Sequence, residues 1–228
     1  MTELIEKTYQ YIKEKQMGEC TGHDFWHTKR VYEMAIRLAK AQEEPVDMEV
    51  VELGALLHDI EDWKFNGGDE DAGPRAARAW LESQGASKEL IIHIMEIIRD
   101  LSYKGGDSVA MKTLEGMIVQ DADRLDAVGA VGIARCFAFG GAFGNEIYNP
   151  DIPPRLKISG AQYKDRTAKS TTVNHFYEKL FLLKDLYNTD EAKKIGLARH
   201  EYMKQFMEQL LTECGGQDTE AFRLLQDV

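Results

Sequence analysis

The stretch VDMEVVELGALLHDI, residues 46–60, decides the fold class. Val50, Leu53, Ala55, Leu56 and Leu57 recur at helical spacing and leave almost no polar face, as expected of a helix deep in a fold. Asp47, just after Pro45, is placed to cap that helix or to supply a first-turn acid. The same stretch ends on His58-Asp59. Two adjacent ionisable groups at the end of an apolar helix are costly to bury unless something pairs with them.

Helical periodicity continues on both sides. Residues 2–16 and 27–42 carry apolar positions at helical spacing, and further helices are predicted over 71–84, 87–101, 110–120, 121–139 and 172–187, with one or two more in 190–213. Gly67-Gly68, Gly105-Gly106 and Gly140-Gly141 punctuate these segments. No alternating run is long enough for a strand, so the expected class is all-α, a compact helical bundle. With no internal repeat or low-complexity linker in 228 residues, the expectation is one domain over 1–228 with its core at about 20–190.

Composition narrows the function classes. Charges interrupt every hydrophobic run, so no membrane span is expected, and the N-terminal pattern lacks a signal-peptide core. Cys20, Cys136 and Cys214 form no CxxC pair, which points away from a disulfide framework or zinc ribbon and towards a reduced cytoplasm. A net charge of −11 argues against adhesion to extended nucleic acid. A small phosphorylated substrate stays open, because a metal and a few cations override the global field locally. A homo-oligomer is compatible with all of this.

His58 and Asp59 gain partners elsewhere in the chain. His27 opens an amphipathic helix after GHDFWHTKRV, and Asp123 lies in VQDADRLDAVGAVG, another helix with an apolar face. Imidazole nitrogen and carboxylate oxygen together suit a divalent cation, and helical bundles assemble such sites from several helices. Four protein donors leave positions for water in six-coordinate geometry.

The ordered set His27, His58-Asp59 and Asp123 resembles that of the HD superfamily of metal-dependent phosphohydrolases. LGALLHDIEDW and QDADRLDA are similar to that superfamily's metal motifs. Together with GHDFWHTKRV, DADRLDAVGAVGIAR and STTVNHFYEKL they resemble a subgroup of small bacterial HD hydrolases over most of residues 20–190. The resemblance implies hydrolysis of a phosphomonoester or phosphodiester, with one divalent ion (Mn, Fe, Co, Ni, Mg or Zn) on His27, His58, Asp59 and Asp123. Asp62, three residues after Asp59, would share their face if the helix continued, and the resemblance implies an acid at this offset. It is the expected catalytic residue, acting on the attacking water, with Glu61 as the fallback.

Other residues are weighed against plainer readings. His23, four residues before His27, contacts substrate or bonds locally. His93, among isoleucines, reads as a surface histidine or a satisfied core one. Asp126 is one turn from Asp123 and either orients it or touches substrate, whereas Asp121 reads as a helix cap. Arg30 and Arg124 read equally as ion-pair partners and phosphate contacts. The segment 140–170, which holds Pro150, Pro153 and Pro154, reads as a lid or binding loop or as a solvated insertion. Between 155 and 169 it carries Arg155, Lys157, Lys164, Arg166 and Lys169 against Asp165 alone. Lys64, Lys157, Arg166 and Lys169 are the expected phosphate contacts, His175 is a candidate for substrate binding or leaving-group protonation, and Ser170-Thr171-Thr172 reads as an anion seat or an ordinary cap. Trp26, Trp63 and Trp80 can stack on a base but pack by default.

No HExxH, GxSxG, Walker or GxGxxG pattern occurs. The leading expectation is a phosphohydrolase acting on a small metabolite, including nucleotides. The alternatives are a phosphodiesterase and a catalytically silent metal- or nucleotide-binding sensor.

Overall fold

The structure, a computed structural model, describes residues 2–18, 22–61, 67–101, 110–156, 158–164 and 168–228, with the side chains of residues 163 and 164 excepted. Among them are eleven α-helices, one 3-10 helix and no strand, so the expected all-α class holds. They fall into two units. The first gathers the described residues as far as Asp123, Gly22 excepted; the second takes Gly22 and the described residues from Arg124 to Val228. No single described helix is long and apolar enough to cross a membrane.

The first unit is built around α3 (Met48–Leu57), which packs against α1 (Glu3–Gln16), α2 (Phe25–Lys40) and α5 (Lys88–Leu101). Asp47 caps it as expected, accepting from the Glu49 and Val50 amides at 3.0 and 3.3 Å. Val51, Leu53, Ala55, Leu56 and Leu57 are fully buried. Each large aliphatic among them contributes roughly 1.5–3 kcal/mol by leaving water. Gly54 allows α6 (Leu114–Asp126) to approach, since a Cβ there would lie 3.2 Å from Val119 Cγ2. Helix α4 (Ala72–Ser83) lies against α5, close to the limits expected for both.

Three boundaries depart from expectation. Helix α3 stops at Leu57 rather than running to residue 60, and 58–61 form turns. The join between the helices expected over 110–120 and 121–139, open in the sequence, lies beyond Asp126, where α6 ends. Helix α7 (Gly129–Ala142) follows, with Gly129 at φ +75°, a conformation only glycine adopts cheaply. Asp121 is therefore fully buried inside α6 and is no cap. The helix expected over 172–187 is divided at Lys179 (φ −145°, ψ −59°) into α9 (Asn174–Glu178) and the 3-10 helix η1 (Leu180–Asp185).

In the second unit α10 (Asp190–Glu213) packs on α7 and η1. Gly196 is needed there, because a Cβ would fall 2.1 Å from the Tyr187 ring. Short helices α8 (Gly160–Lys164) and α11 (Glu220–Leu224) complete the described elements, and the Tyr177 hydroxyl donates to the Ala221 carbonyl at 2.7 Å.

Candidate metal centre

Helix α2 delivers His27. Asp24 stops the preceding loop and caps the helix, its Oδ1 accepting from the His27 amide at 2.9 Å, so the imidazole leaves from the first turn. Helix α3 delivers His58 as its C-cap (φ −56°, ψ −37°), with Asp59 in the tight turn beyond, where the Ile60 amide donates to the Leu57 carbonyl at 3.1 Å. Helix α6 delivers Asp123. All four belong to the first unit.

Their donor atoms converge. His27 Nε2 lies 3.0 Å from His58 Nε2, 3.3 Å from Asp59 Oδ2 and 3.6 Å from Asp123 Oδ1. His58 Nε2 is 3.6 Å from Asp59 Oδ2 and 3.8 Å from Asp123 Oδ1. Ligands about 2.1 Å from one ion and at right angles to each other stand about 3.0 Å apart. The observed spacings begin at that value and exceed it by under an ångström.

Hydrogen bonding favours the same reading. His58 Nδ1 is 2.8 Å from the Ala55 carbonyl, which can only accept, so Nδ1 carries a hydrogen and Nε2 is the nitrogen turned to the cluster. The His27 and His58 side chains are wholly buried. His27 Nε2 faces His58 Nε2 at 3.0 Å, a separation that either a shared hydrogen or a cation satisfies, and the carboxylate oxygens of Asp59 and Asp123 beside them suit a cation. Burial alone would push the Asp59 carboxyl up, but the imidazoles of His58, His23 and His27 outweigh it and hold that carboxyl well below the usual carboxylate range. Asp59 thus stays anionic. The residues fit a divalent ion: His27, His58 and Asp123 form one possible metal-holding group, and His23, His27 and Asp59 an overlapping one.

The remaining sequence-predicted residues divide clearly. His23 lies in the loop before α2, not on the helix, with Nδ1 3.1 Å from Asp59 Oδ2. Its ring still meets that of His27 edge to face, with centroids 5.7 Å apart. In the second unit Asp126 is buried, and its Oδ2 accepts from Arg135 Nη1 at 3.1 Å, while Arg124 donates to the Leu186 carbonyl. Arg155, one of the five clustered cations, is held by buried Glu178 through Nε at 2.9 Å and Nη2 at 3.0 Å. Lys169 is exposed, and His175 is half-buried on α9. His93 Nε2 is 2.9 Å from Thr113 Oγ1, an ordinary packed histidine. Trp80 stacks on Tyr11 at 3.9 Å, and Trp26 is exposed. Glu61 accepts from Lys15 Nζ at 2.6 Å. Asp62, Trp63, Lys64, Lys157, Asp165 and Arg166 lie outside the described residues, as does the Lys164 side chain. The helical-face argument for Asp62 does not carry, because α3 has ended five residues earlier.

One contributor has no sequence signal. Gln16, at the end of α1, donates from Nε2 to the Asp59 carbonyl at 3.3 Å and accepts from Thr28 Oγ1 at 2.7 Å. No motif marks a glutamine 43 residues before the aspartate it meets.

In a helical protein, buried imidazoles with part-buried carboxylates beside them form a cluster able to hold a metal ion on mixed nitrogen and oxygen donors. The HD domain family model matches residues 25–128, a span containing all four donors. The uncharacterised protein YpgQ of Bacillus subtilis is 33% identical over 94% of this chain and 96% of its own. The chain belongs to the HD-domain family. An HD-superfamily hydrolase from Bacillus thuringiensis shares 41% identity over 93% of this chain and 97% of its own, with a TM-score of 0.68. A crystal structure from Lactobacillus plantarum shares 35% identity over 94% and 98%, with a TM-score of 0.83. YpgQ in complex with ADP aligns at a TM-score of 0.70, with 32% identity over 94% of this chain and 100% of that one.

Proposed function

We propose that this protein is a metal-dependent phosphohydrolase of a small phosphorylated metabolite, with a nucleotide as the substrate class. The carrying observation is the approach of two imidazole nitrogens and two carboxylate oxygens with nearest neighbours at 3.0–3.8 Å. The ADP complex of YpgQ supports the nucleotide.

His27, His58, Asp59 and Asp123 hold one divalent ion. Such an ion lowers the pKa of a water towards about 7 and neutralises charge on a phosphoryl oxygen. Asp59 brings a carboxyl held well below the usual carboxylate range, and the Ala55 carbonyl keeps His58 Nε2 directed inward. We assign Asp62 to take the proton as water attacks phosphorus and the bond from phosphorus to the leaving oxygen breaks. Lys64, Lys157, Arg166 and Lys169 remain the phosphate contacts assigned from sequence, and His175 remains assigned to substrate binding or leaving-group protonation. His23 stays with Asp59 at the edge of the cluster.

The test is release of phosphate or pyrophosphate from nucleoside mono-, di- and triphosphates, other phosphomonoesters and diesters, with Mn, Co, Ni, Fe, Zn or Mg supplied. Turnover of a nucleotide that is lost in Asp59→Ala supports the reading. Equal inactivity of wild type and Asp59→Ala under every metal overturns it, and nucleotide binding without turnover would leave the sensor alternative standing.

A further inference from the structure

The last residue of α1 reaches into the metal centre from outside the HD match, which begins at residue 25. Gln16 is buried, and its amide joins two segments that carry ligands. Oε1 accepts from the hydroxyl of Thr28, which is fully buried and follows His27 in α2. Nε2 donates to the carbonyl of Asp59 itself. The amide orientation is determined, because the Asp59 carbonyl can only accept and the Thr28 hydroxyl then has Oε1 to donate to. Lys15 adds a second tie from the same turn of α1, to Glu61 at 2.6 Å. Everything involved lies in the first unit.

We propose that Gln16 is a positioning residue for the metal centre: its amide, shared between the Thr28 hydroxyl and the Asp59 carbonyl, sets the spacing of His27 from His58-Asp59. This rests on the reading that those residues hold a metal ion. The chemistry selects glutamine. A leucine there leaves a buried hydroxyl and a carbonyl without their partner, and a glutamate sets a carboxylate against the Asp59 carbonyl. Ligand-bearing segments freed of such ties relax away from the spacing the ion requires, which is how partners of metal ligands govern affinity.

A helix-docking contact elsewhere on α1 provides the control. Thr8 is fully buried and accepts from Trp80 Nε1 at 2.9 Å, so Thr8→Val loosens α1 without touching a ligand segment. Co(II) alone is titrated into wild type, Gln16→Leu, Thr28→Val, the double variant and Thr8→Val. The readouts are its dissociation constant, the visible absorption of the bound ion and the melting temperature of each metal-free protein. Gln16→Leu and Thr28→Val are each expected to weaken Co(II) binding about 10–100-fold and to alter the absorption band. The double variant should be no weaker than the worse single one, because both remove the same bond. Thr8→Val should lower the melting temperature while keeping the wild-type affinity and spectrum. Unchanged affinity and spectrum in Gln16→Leu and Thr28→Val overturn the proposal, as does an equal loss in Thr8→Val. A wild type that binds no Co(II) overturns the metal reading itself, a distinguishable failure.

Discussion

Adding a divalent metal should raise the melting temperature of the wild-type protein and leave that of Asp59→Ala nearly unmoved. The native chain holds its nitrogen and oxygen donors at 3.0–3.8 Å, whereas the unfolded chain scatters them, so binding favours the native state. At a free metal concentration about 100 times the dissociation constant, the stabilisation is about 2.7 kcal/mol. For 228 residues a kilocalorie moves the midpoint by about 2–4 °C, which gives a rise of roughly 5–11 °C. Asp59 Oδ2 stands 3.3 Å from His27 Nε2 and 3.6 Å from His58 Nε2 and carries the charge that the ion meets. Second-sphere changes alone cost 10–100-fold in affinity, so losing this donor should cost at least about 100-fold. At the same metal concentration the stabilisation then falls to about 0.4 kcal/mol, a shift of about 2 °C or less. Differential scanning calorimetry with Mn(II), and with the chelated control, reads both numbers. An equal rise in wild type and Asp59→Ala would mean that the metal binds elsewhere, and the reasoning would fail.

Asp62→Asn should lower kcat by about 10²–10⁴ while leaving metal affinity near wild type, as measured by turnover and titration, and an unchanged kcat would remove Asp62 from the mechanism. Arg155→Ala should destabilise the fold by roughly 1–3 kcal/mol in urea unfolding, because Glu178 is 5% exposed and would lose its charged partner while keeping the Arg155 amide and the Ser170 hydroxyl, and its KM should stay as in wild type. His200 is buried, its Nδ1 has no hydrogen-bond partner among the described residues, and burial followed by Lys184 holds its pKa below the usual 6.5. Below about pH 6.5 the unfolded chain therefore binds the proton more readily, and stability falls as pH falls. Melting curves of His200→Gln should show a shallower acid-side decline; parallel curves would exclude this group.

How much of this could be read in advance depends on how local each cause is. The apolar face of 48–57 and the Asp47 cap are local, and both emerge as written. His27, His58, Asp59 and Asp123 were legible as a set because their residue types and order state a chemistry, and the structure brings them together. The end of α3 at Leu57 was less legible, since nothing in HDIED breaks a helix by propensity. The division at Lys179 and the uninterrupted course of α6 through Asp121 depend on tertiary packing, which overrides a periodicity that continues across the first and seemed to pause at the second. Arg155 read as one of five clustered cations because Glu178, 23 residues on, could not be seen to claim it. Gln16 was invisible for the same reason: its meaning lies in a contact with Asp59.

The most direct test of the metal centre is a crystal soaked in Mn(II) and measured at the manganese absorption edge. One anomalous peak is expected about 2.0–2.3 Å from His27 Nε2, His58 Nε2 and a carboxylate oxygen of each of Asp59 and Asp123. A crystal of protein that binds Mn(II) in solution, with no peak at these four residues, would contradict it.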